Sequence, residues 1–404
     1  MYMFSPDQVQ TWEETAALEP GARRIYLDRY LGSASLSFSA VDRSERPSVD
    51  AGRLRTPARI FGTPEDASCL EGIEDGPVHI LPPRIFTVDR ARIVGNSALL
   101  SGEGALYLPD DASRLTRAEF VAANAHGHQG FLIDDGPENL SISFAQRERP
   151  RDYPLDAVFL HSLEPGNYGS FMFRQLPQML ALREADLPFD CYISSERTSF
   201  VLEAIELLDL PRRPVFSGPE VSGDRFRSIT VFRIDDAEGF VGPGTRSQLK
   251  RLVAEVVSEH PVTDPDPAVY VSRALSTLRF PGYRVMTNEL EIEALVRSRG
   301  LRVLYPETLS LRDQIRHFYG AGRLMGPSGS GMFNLLFSRA VKRVVDIETY
   351  HGTVRQHAKL YSACGAEYAF LFSPFCPGDD QAPMYRSSIC PPHLAAEALD
   401  WLLS

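Results

Sequence analysis

The chain has 404 residues, is 43% apolar and 24% charged, and carries a formal net charge of -11. This is the balance of an ordinary globular protein long enough for two or three domains. The acidic excess disfavours a nucleic-acid backbone as partner, and the lack of an apolar run of about 18 residues leaves nothing expected to span a membrane. The five cysteines, Cys69, Cys191, Cys364, Cys376 and Cys390, show no CxxC pairing, so neither a zinc site nor a disulfide framework is expected. The start, Met1-Tyr-Met-Phe-Ser-Pro-Asp7, has no basic or apolar leader character, and a cytoplasmic location is the default expectation.

Residues 1–150 read as a small β-rich subdomain. Short apolar runs at Val78–Leu81, Arg84–Val88, Ala91–Gly95, Ala98–Leu100 and Gly104–Leu108 are punctuated by Asp, Gly and Pro. The polar, proline-bearing stretch Arg147–Pro154 marks a boundary. From Asp156 the pattern turns to alternating strand and helix. Ala157–His161 is a strand, a helix follows from about Ser170 to Glu184 with Pro177 expected to kink it, and Cys191–Ser194 is the next strand. An amphipathic helix from Phe200 and strands at Val215-Phe216 and Ile229–Ile234 complete this unit, 151–245. Asp235–Gly244 is acidic and glycine-bearing and is expected as a linker.

The last unit, 246–404, is the more regular. Strands are expected at Val269–Ser272, Leu301–Tyr305, Leu324-Met325, Val344–Ile347 and Tyr368–Phe372. Asn288 with Glu291 marks one helix start and Gly300 its end; Ser310 with Asp313 marks another start. Strands alternating with helices at this spacing predict an α/β class with parallel sheets covered on both faces, whose ligands bind beyond the carboxyl ends of the strands.

Three stretches carry chemistry. The first is Arg323–Phe337, where a short apolar strand runs into a turn with Gly326, Gly329 and Gly331 and then into an apolar helix. Unpaired N–H groups at a helix start suit an anion, and glycines let a bulky ligand approach the backbone. A nucleotide or sugar phosphate fits; a tight turn with no ligand is the plain alternative. The stretch is not GxSxG, because Ser330 stands where the second glycine belongs, so a serine hydrolase is not expected. It is not GxxxxGK[ST], and it follows the third strand of its unit rather than the first, unlike a dinucleotide fingerprint. The second stretch is Tyr270–Arg273 with Arg279 and Arg284. Arg273 follows the first strand of its unit, where a guanidinium can hold a diphosphate bidentately; for Arg279 a surface salt bridge is expected. The third is Glu164–Pro177, a strand-to-helix turn in which Asn167 reads as a helix cap and His161 just before it is the nearest candidate for a base.

In order along the chain, Tyr270-Val-Ser-Arg273, Arg284…Asn288-Glu-Leu290, Pro306–Gln314, Gly326–Phe337 and Val345-Asp-Ile347 resemble glycosyltransferase family 61. Asn167-Tyr168…Leu176-Pro177 is similar to that family's N-terminal motif. The resemblance covers roughly residues 80–375. It implies a GT-B-like arrangement of two Rossmann-like domains facing a cleft, with the β-rich subdomain ahead of them. It implies inverting transfer from a nucleotide sugar, with no metal or other cofactor, to a glycan or lipid-linked acceptor, as in bacterial capsular, exopolysaccharide or lipopolysaccharide synthesis. It places the donor at Arg273, Arg284, Glu307, Gly326, Ser328, Gly329, Ser330, Gly331 and Asn334, the acceptor at Asn167, Tyr168 and Ser170, and leaves His161 as the base. The chain departs from the family pattern at Ser328 and Ser170, both usually histidine, and at Arg174, where an acid is common. Those departures motivate a rival expectation: a catalytically silent member that binds a glycan or a partner protein. A Rossmann-type oxidoreductase lacks its fingerprint. A lipid-linked acceptor would bring the protein to the membrane periphery, although the acidic balance gives no electrostatic support for this. Homo-oligomerisation is left open by the sequence.

Overall fold

The computed structural model describes residues 150–404 apart from 163, 165, 235, 238, 260, 263–267, 280–282, 350–352 and 383–384. Before them it describes 49–62, 70, 73–80, 84–94 and 98–100, with short strands at 2–4, 9–11, 106–108, 132–134 and 140–142. The chain divides into two compact units: Met1–Ser48 with Leu81–Ile234, and Val49–Ile80 with Asp235–Ser404.

The first unit is built on four parallel strands, Asp152–Leu160, Cys191–Ser194, Val215–Ser217 and Arg225–Arg233. Their spatial order is 3-2-1-4. All four residues of Cys191–Ser194 are buried, as expected where helices cover both faces of a parallel sheet. The open edge of Arg225–Arg233 is closed by Arg84–Asp89, which pairs with it antiparallel over six residues; an unpaired edge would otherwise expose a row of backbone donors and acceptors. Arg92–Val94, Ala98–Leu100 and Leu106–Leu108 continue as an antiparallel meander. The short strands from Arg84 onward therefore extend this sheet. The strand expected from Ala157 begins at Asp152 and includes Pro154; the register shifts between Tyr153 and Asp156, where a residue without an N–H interrupts the ladder. Val88, Phe159, Ile193, Phe226 and Ile229 form its buried centre.

The helix after this first strand runs from Tyr168 to Ala185, but its turn at Phe171–Gln175 is π-helical. Pro177 sits in the first turn of the α-helical segment that follows, where its missing N–H matters less. In the wider turn just before the proline the Leu176 N–H donates to the Phe171 carbonyl, five residues back.

In the second unit five strands lie parallel: Ala268–Val271, Arg302–Leu304, Arg323–Pro327, Arg343–Glu348 and Glu367–Phe372. Their order is 2-1-3-4-5. Arg59–Phe61 adds a sixth parallel strand beside Glu367–Phe372. Phe61 is buried there in a cluster with Tyr270, Met325, Val345, Leu371 and Leu399, which is why Val49–Ile80 belongs with this unit. The expected linker is partly structured: Asp236-Ala237 pairs with Phe240-Val241, both of the latter are buried, and a helix begins at Pro243. Ser310 caps its helix by accepting from the Asp313 N–H. Asn288 does not cap; its amide nitrogen donates to the Cys390 carbonyl at 2.8 Å and its oxygen accepts from the Cys390 N–H at 2.9 Å. No helix among the described residues is long and apolar enough to cross a membrane.

Candidate functional site

A parallel sheet with order 2-1-3-4-5 opens a crevice between its first and third strands, where the crossovers leave in opposite directions. In the second unit those strands end at Val271 and Pro327. Arg273 follows the one and Ser328-Gly329 the other, so two stretches far apart in sequence meet at one edge.

The contact is tight. A Cβ on Gly326 would lie 2.5 Å from the Val271 carbonyl oxygen, and one on Gly329 would lie 3.2 Å from Arg273 Nη1. Gly329 also has φ +156, a conformation rarely adopted by residues with side chains. These glycines allow the third strand's turn to press against the first strand and its arginine. The following helix, Ser330–Phe337, is a 3-10 helix rather than the expected α-helix. Met332 N–H to the Gly329 carbonyl closes its first turn, so the amides of Ser330 and Gly331 lie ahead of its bonds. The Ser328 amide is not among them: it donates to the Ile347 carbonyl at 2.8 Å as part of the sheet.

Ser328 is the node of the site. Its carbonyl accepts from Arg273 Nη1 at 2.8 Å, and its hydroxyl donates to Glu348 Oε2 at 2.8 Å. Glu348 has no exposed surface; it accepts from Arg284 Nη2 at 3.0 Å and from the Thr353 hydroxyl at 2.5 Å. Beneath it the His357 imidazole meets Asp346 Oδ2 at 2.6 Å, and the Tyr361 hydroxyl donates to that same oxygen at 2.5 Å. Asp346 Oδ1 is buried without a partner. Asp346, Glu348 and His357 bring ligating atoms within 4.8 Å of one another, a set that could hold a cation. Asp346 and His357 also bond each other, and Glu348 bonds Arg284, Ser328 and Thr353, so the cluster braces Ser328 and Arg284 as well.

The electrostatics favour an anion. Burial, then the neighbouring Arg284 charge, hold the Arg273 guanidinium below the usual arginine value. Arg284 is itself nearly buried and its Nε has no partner. Its φ of +51 is strained for a side chain this bulky. Arg284 is already paired with Glu348, whereas Arg273 is half-buried with no ion-pair partner among the described residues; planar guanidinium forks match phosphate oxygens. On the other side Glu289 accepts from the Arg273 N–H at 2.6 Å and from Ser272 Oγ at 3.1 Å. Burial pushes its carboxyl up to about 7 despite those two donors, so this carboxylate opposes a bound anion less than an ordinary one would.

The remaining expected donor residues divide. Glu307 is exposed at the carboxyl end of Arg302–Leu304, on the same edge. Ser330 and Gly331 are half-buried at the turn. Asn334 is wholly buried and donates to the Gly331 carbonyl at 3.2 Å, which places it under the turn as a brace.

In the first unit the expected acceptor residues also follow a strand end. Asn167 is exposed and caps its helix by accepting from the Gly169 N–H at 2.7 Å. Tyr168 packs on Phe171 and Phe200. Ser170 Oγ lies 2.6 Å from Ser162 Oγ. His161 is 6% exposed, its main chain clamped by Gln178 at 3.1 and 3.0 Å. Burial lowers its imidazole to about 3, against a main-chain hydrogen bond at Phe232. An imidazole so hard to protonate is a poor base at neutral pH.

Sequence reasoning missed Asp346, Glu348, His357 and Tyr361. The signal was there: acids at 346 and 348 share one face of an apolar strand, and His357 and Tyr361 share one helix face. It also missed Tyr283 and Tyr385, which sit in irregular segments with no periodicity.

Fold and edge together define an α/β protein with parallel sheets and two arginines at the carboxyl edge of the second. Residues 168–345 match the family model described as Glycosyltransferase 61. The matched segment contains the first unit's strand-to-helix turn from Tyr168, together with Arg273, Arg284 and the glycine turn. That match supports glycosyl transfer as its general chemistry. No curated protein matches the chain.

Proposed function

We propose that this protein is an inverting, metal-independent glycosyltransferase of the GT-B type. It moves a sugar from a nucleotide donor to a glycan or lipid-linked acceptor in the synthesis of a surface polysaccharide. The observation that carries the donor site is the pairing of Arg273 and Arg284 at the carboxyl edge of the second unit, tied to the glycine turn through Ser328. Arg273, Arg284 and the amides of Ser330 and Gly331 hold the diphosphate. As the glycosidic bond breaks, charge grows on the leaving nucleoside diphosphate, and these fixed donors stabilise it without reorganising. The two guanidiniums supply the countercharge for which other enzymes use a cation.

Inversion requires the acceptor hydroxyl to attack the anomeric carbon from the face opposite the leaving group, losing its proton to a base. Asn167, Tyr168 and Ser170 are assigned to the acceptor. The silent-member alternative has less support here, because Ser328 keeps a fully bonded place in the site. The test is incubation of a donor panel (UDP-, GDP-, CMP- and TDP-linked sugars) with an oligosaccharide acceptor mixture, read by proton NMR. Transfer with inverted anomeric configuration, undiminished by EDTA, is expected. A retained configuration or loss of turnover with chelator overturns the mechanism; no transfer from any donor favours the silent member.

A further inference from the structure

Beside Arg273 the second unit carries an aromatic surface that the diphosphate reading leaves unused. Tyr283 and Tyr385 are 39% and 41% exposed, and they are the large aromatic residues that stand out to solvent among the described residues. Tyrosines usually bury most of their ring. These two instead touch each other, with centroids 5.7 Å apart and planes at 59°. The Arg273 guanidinium lies 5.7 Å from the Tyr283 centroid. Aromatic surface and phosphate-binding arginine are therefore continuous.

The surface is also held rigidly. Arg284 N–H donates to the Tyr385 carbonyl at 3.3 Å, Ser388 N–H to the Val285 carbonyl at 2.8 Å and Thr287 N–H to the Ser388 carbonyl at 2.8 Å. Asn288 bonds Cys390 through both its amide atoms. Segments about a hundred residues apart are thus stitched together, so the rings do not owe their exposure to a loose loop. The strained φ of Arg284 falls between Tyr283 and this stitching, a backbone conformation that the surrounding bonds impose.

We propose that Tyr283 and Tyr385 form the stacking surface for the nucleobase of the donor. A nucleoside diphosphate has a flat π face at one end and a dianionic chain at the other, joined by a ribose. The second unit offers an aromatic face and an arginine pair in the same juxtaposition. This rests on the donor-diphosphate site proposed above. Stacking is indifferent to base identity, so the surface supplies affinity, and choice among bases falls to polar groups at its rim.

The test is calorimetric titration of UDP, GDP and inorganic pyrophosphate into the wild type and into Tyr385→Ala and Tyr385→Phe. Tyr385 is exposed, so neither variant threatens the core. Loss of one stacking ring is expected to weaken nucleoside diphosphate binding about five- to a hundredfold, with pyrophosphate unchanged and Tyr385→Phe close to wild type. If Tyr385→Ala leaves the nucleoside diphosphates unaffected while pyrophosphate and nucleotide both bind, the stacking surface is refuted and the diphosphate site stands. If Tyr385→Ala weakens pyrophosphate equally, the residue acts by positioning the arginines and the proposal also fails. If the wild type binds none of the three, the diphosphate site itself is wrong and takes the stacking surface with it.

Discussion

Arg273→Ala is expected to weaken nucleoside diphosphate binding by about a hundredfold or more and to lower kcat/KM at least as much. A hydrogen bond to a charged group contributes about 1.5–3 kcal/mol, and a guanidinium fork on a phosphate makes two. In the transition state the leaving group carries more charge, and removing one fixed donor from such a site costs about 10²–10³ in rate. Arg273→Lys keeps the charge but not the fork, and is expected to recover only a small part of the loss. Arg273 also donates to the Ser328 carbonyl, so the variant must be shown to melt close to the wild type before its kinetics are read. Wild-type turnover in Arg273→Ala would remove the donor assignment outright.

The second large effect is on stability. Glu348 has no exposed surface and partners Arg284, Ser328 and Thr353. Glu348→Ala leaves the Arg284 guanidinium buried without its carboxylate, and breaking one side of a buried ion pair costs about 3–5 kcal/mol. For a unit of this size that corresponds to a fall in melting temperature on the order of 10 °C. Glu348→Gln preserves the shape and one acceptor, and is expected to lose less. The double variant Glu348→Ala with Arg284→Ala removes both charges and is expected to recover part of the single variant's loss. If Glu348→Ala melts within about 1 kcal/mol of the wild type, the buried network does not support the site as described. Thermal unfolding followed by circular dichroism decides between these outcomes.

Why some of this was legible in the sequence and some was not follows from range. The five strands of the second unit were readable because each is a short apolar run bounded by turn residues, and local pattern is sufficient for that. The edge that Arg273 occupies was readable because the residue follows directly on an expected strand, Val269–Ser272. The sixth strand, Arg59–Phe61, was not readable: its partner lies some three hundred residues away, and no local periodicity records a pairing at that distance. Asn288 looked like a cap because Asn followed three residues later by Glu usually is one, but a distant partner, Cys390, took its amide. Pro154 looked like a boundary because proline usually interrupts strands; a register shift lets the sheet tolerate it.

The site shows the same division. Glycines 326 and 329 read as room for a ligand, but the atoms that crowd them are the Val271 carbonyl and the Arg273 guanidinium. What the sequence could not show is the direction in which Ser328 points. A serine in a glycine turn reads as a phosphate-facing hydroxyl, whereas this hydroxyl turns inward to Glu348. Ser328 thus bonds Arg273 directly and is linked to Arg284 only through Glu348. His161 was attractive as a base because it follows a strand end, but only packing reveals the burial that drives its imidazole to about 3.

On this proposal Arg273, Arg284 and the amides of Ser330 and Gly331 hold the donor diphosphate. A crystal structure of the protein soaked with a nucleoside diphosphate tests it most directly. The expected result is phosphate oxygens within hydrogen-bond distance of both guanidiniums and of at least one of those amides. Nucleotide density elsewhere on the protein, with this edge left to solvent, would contradict it.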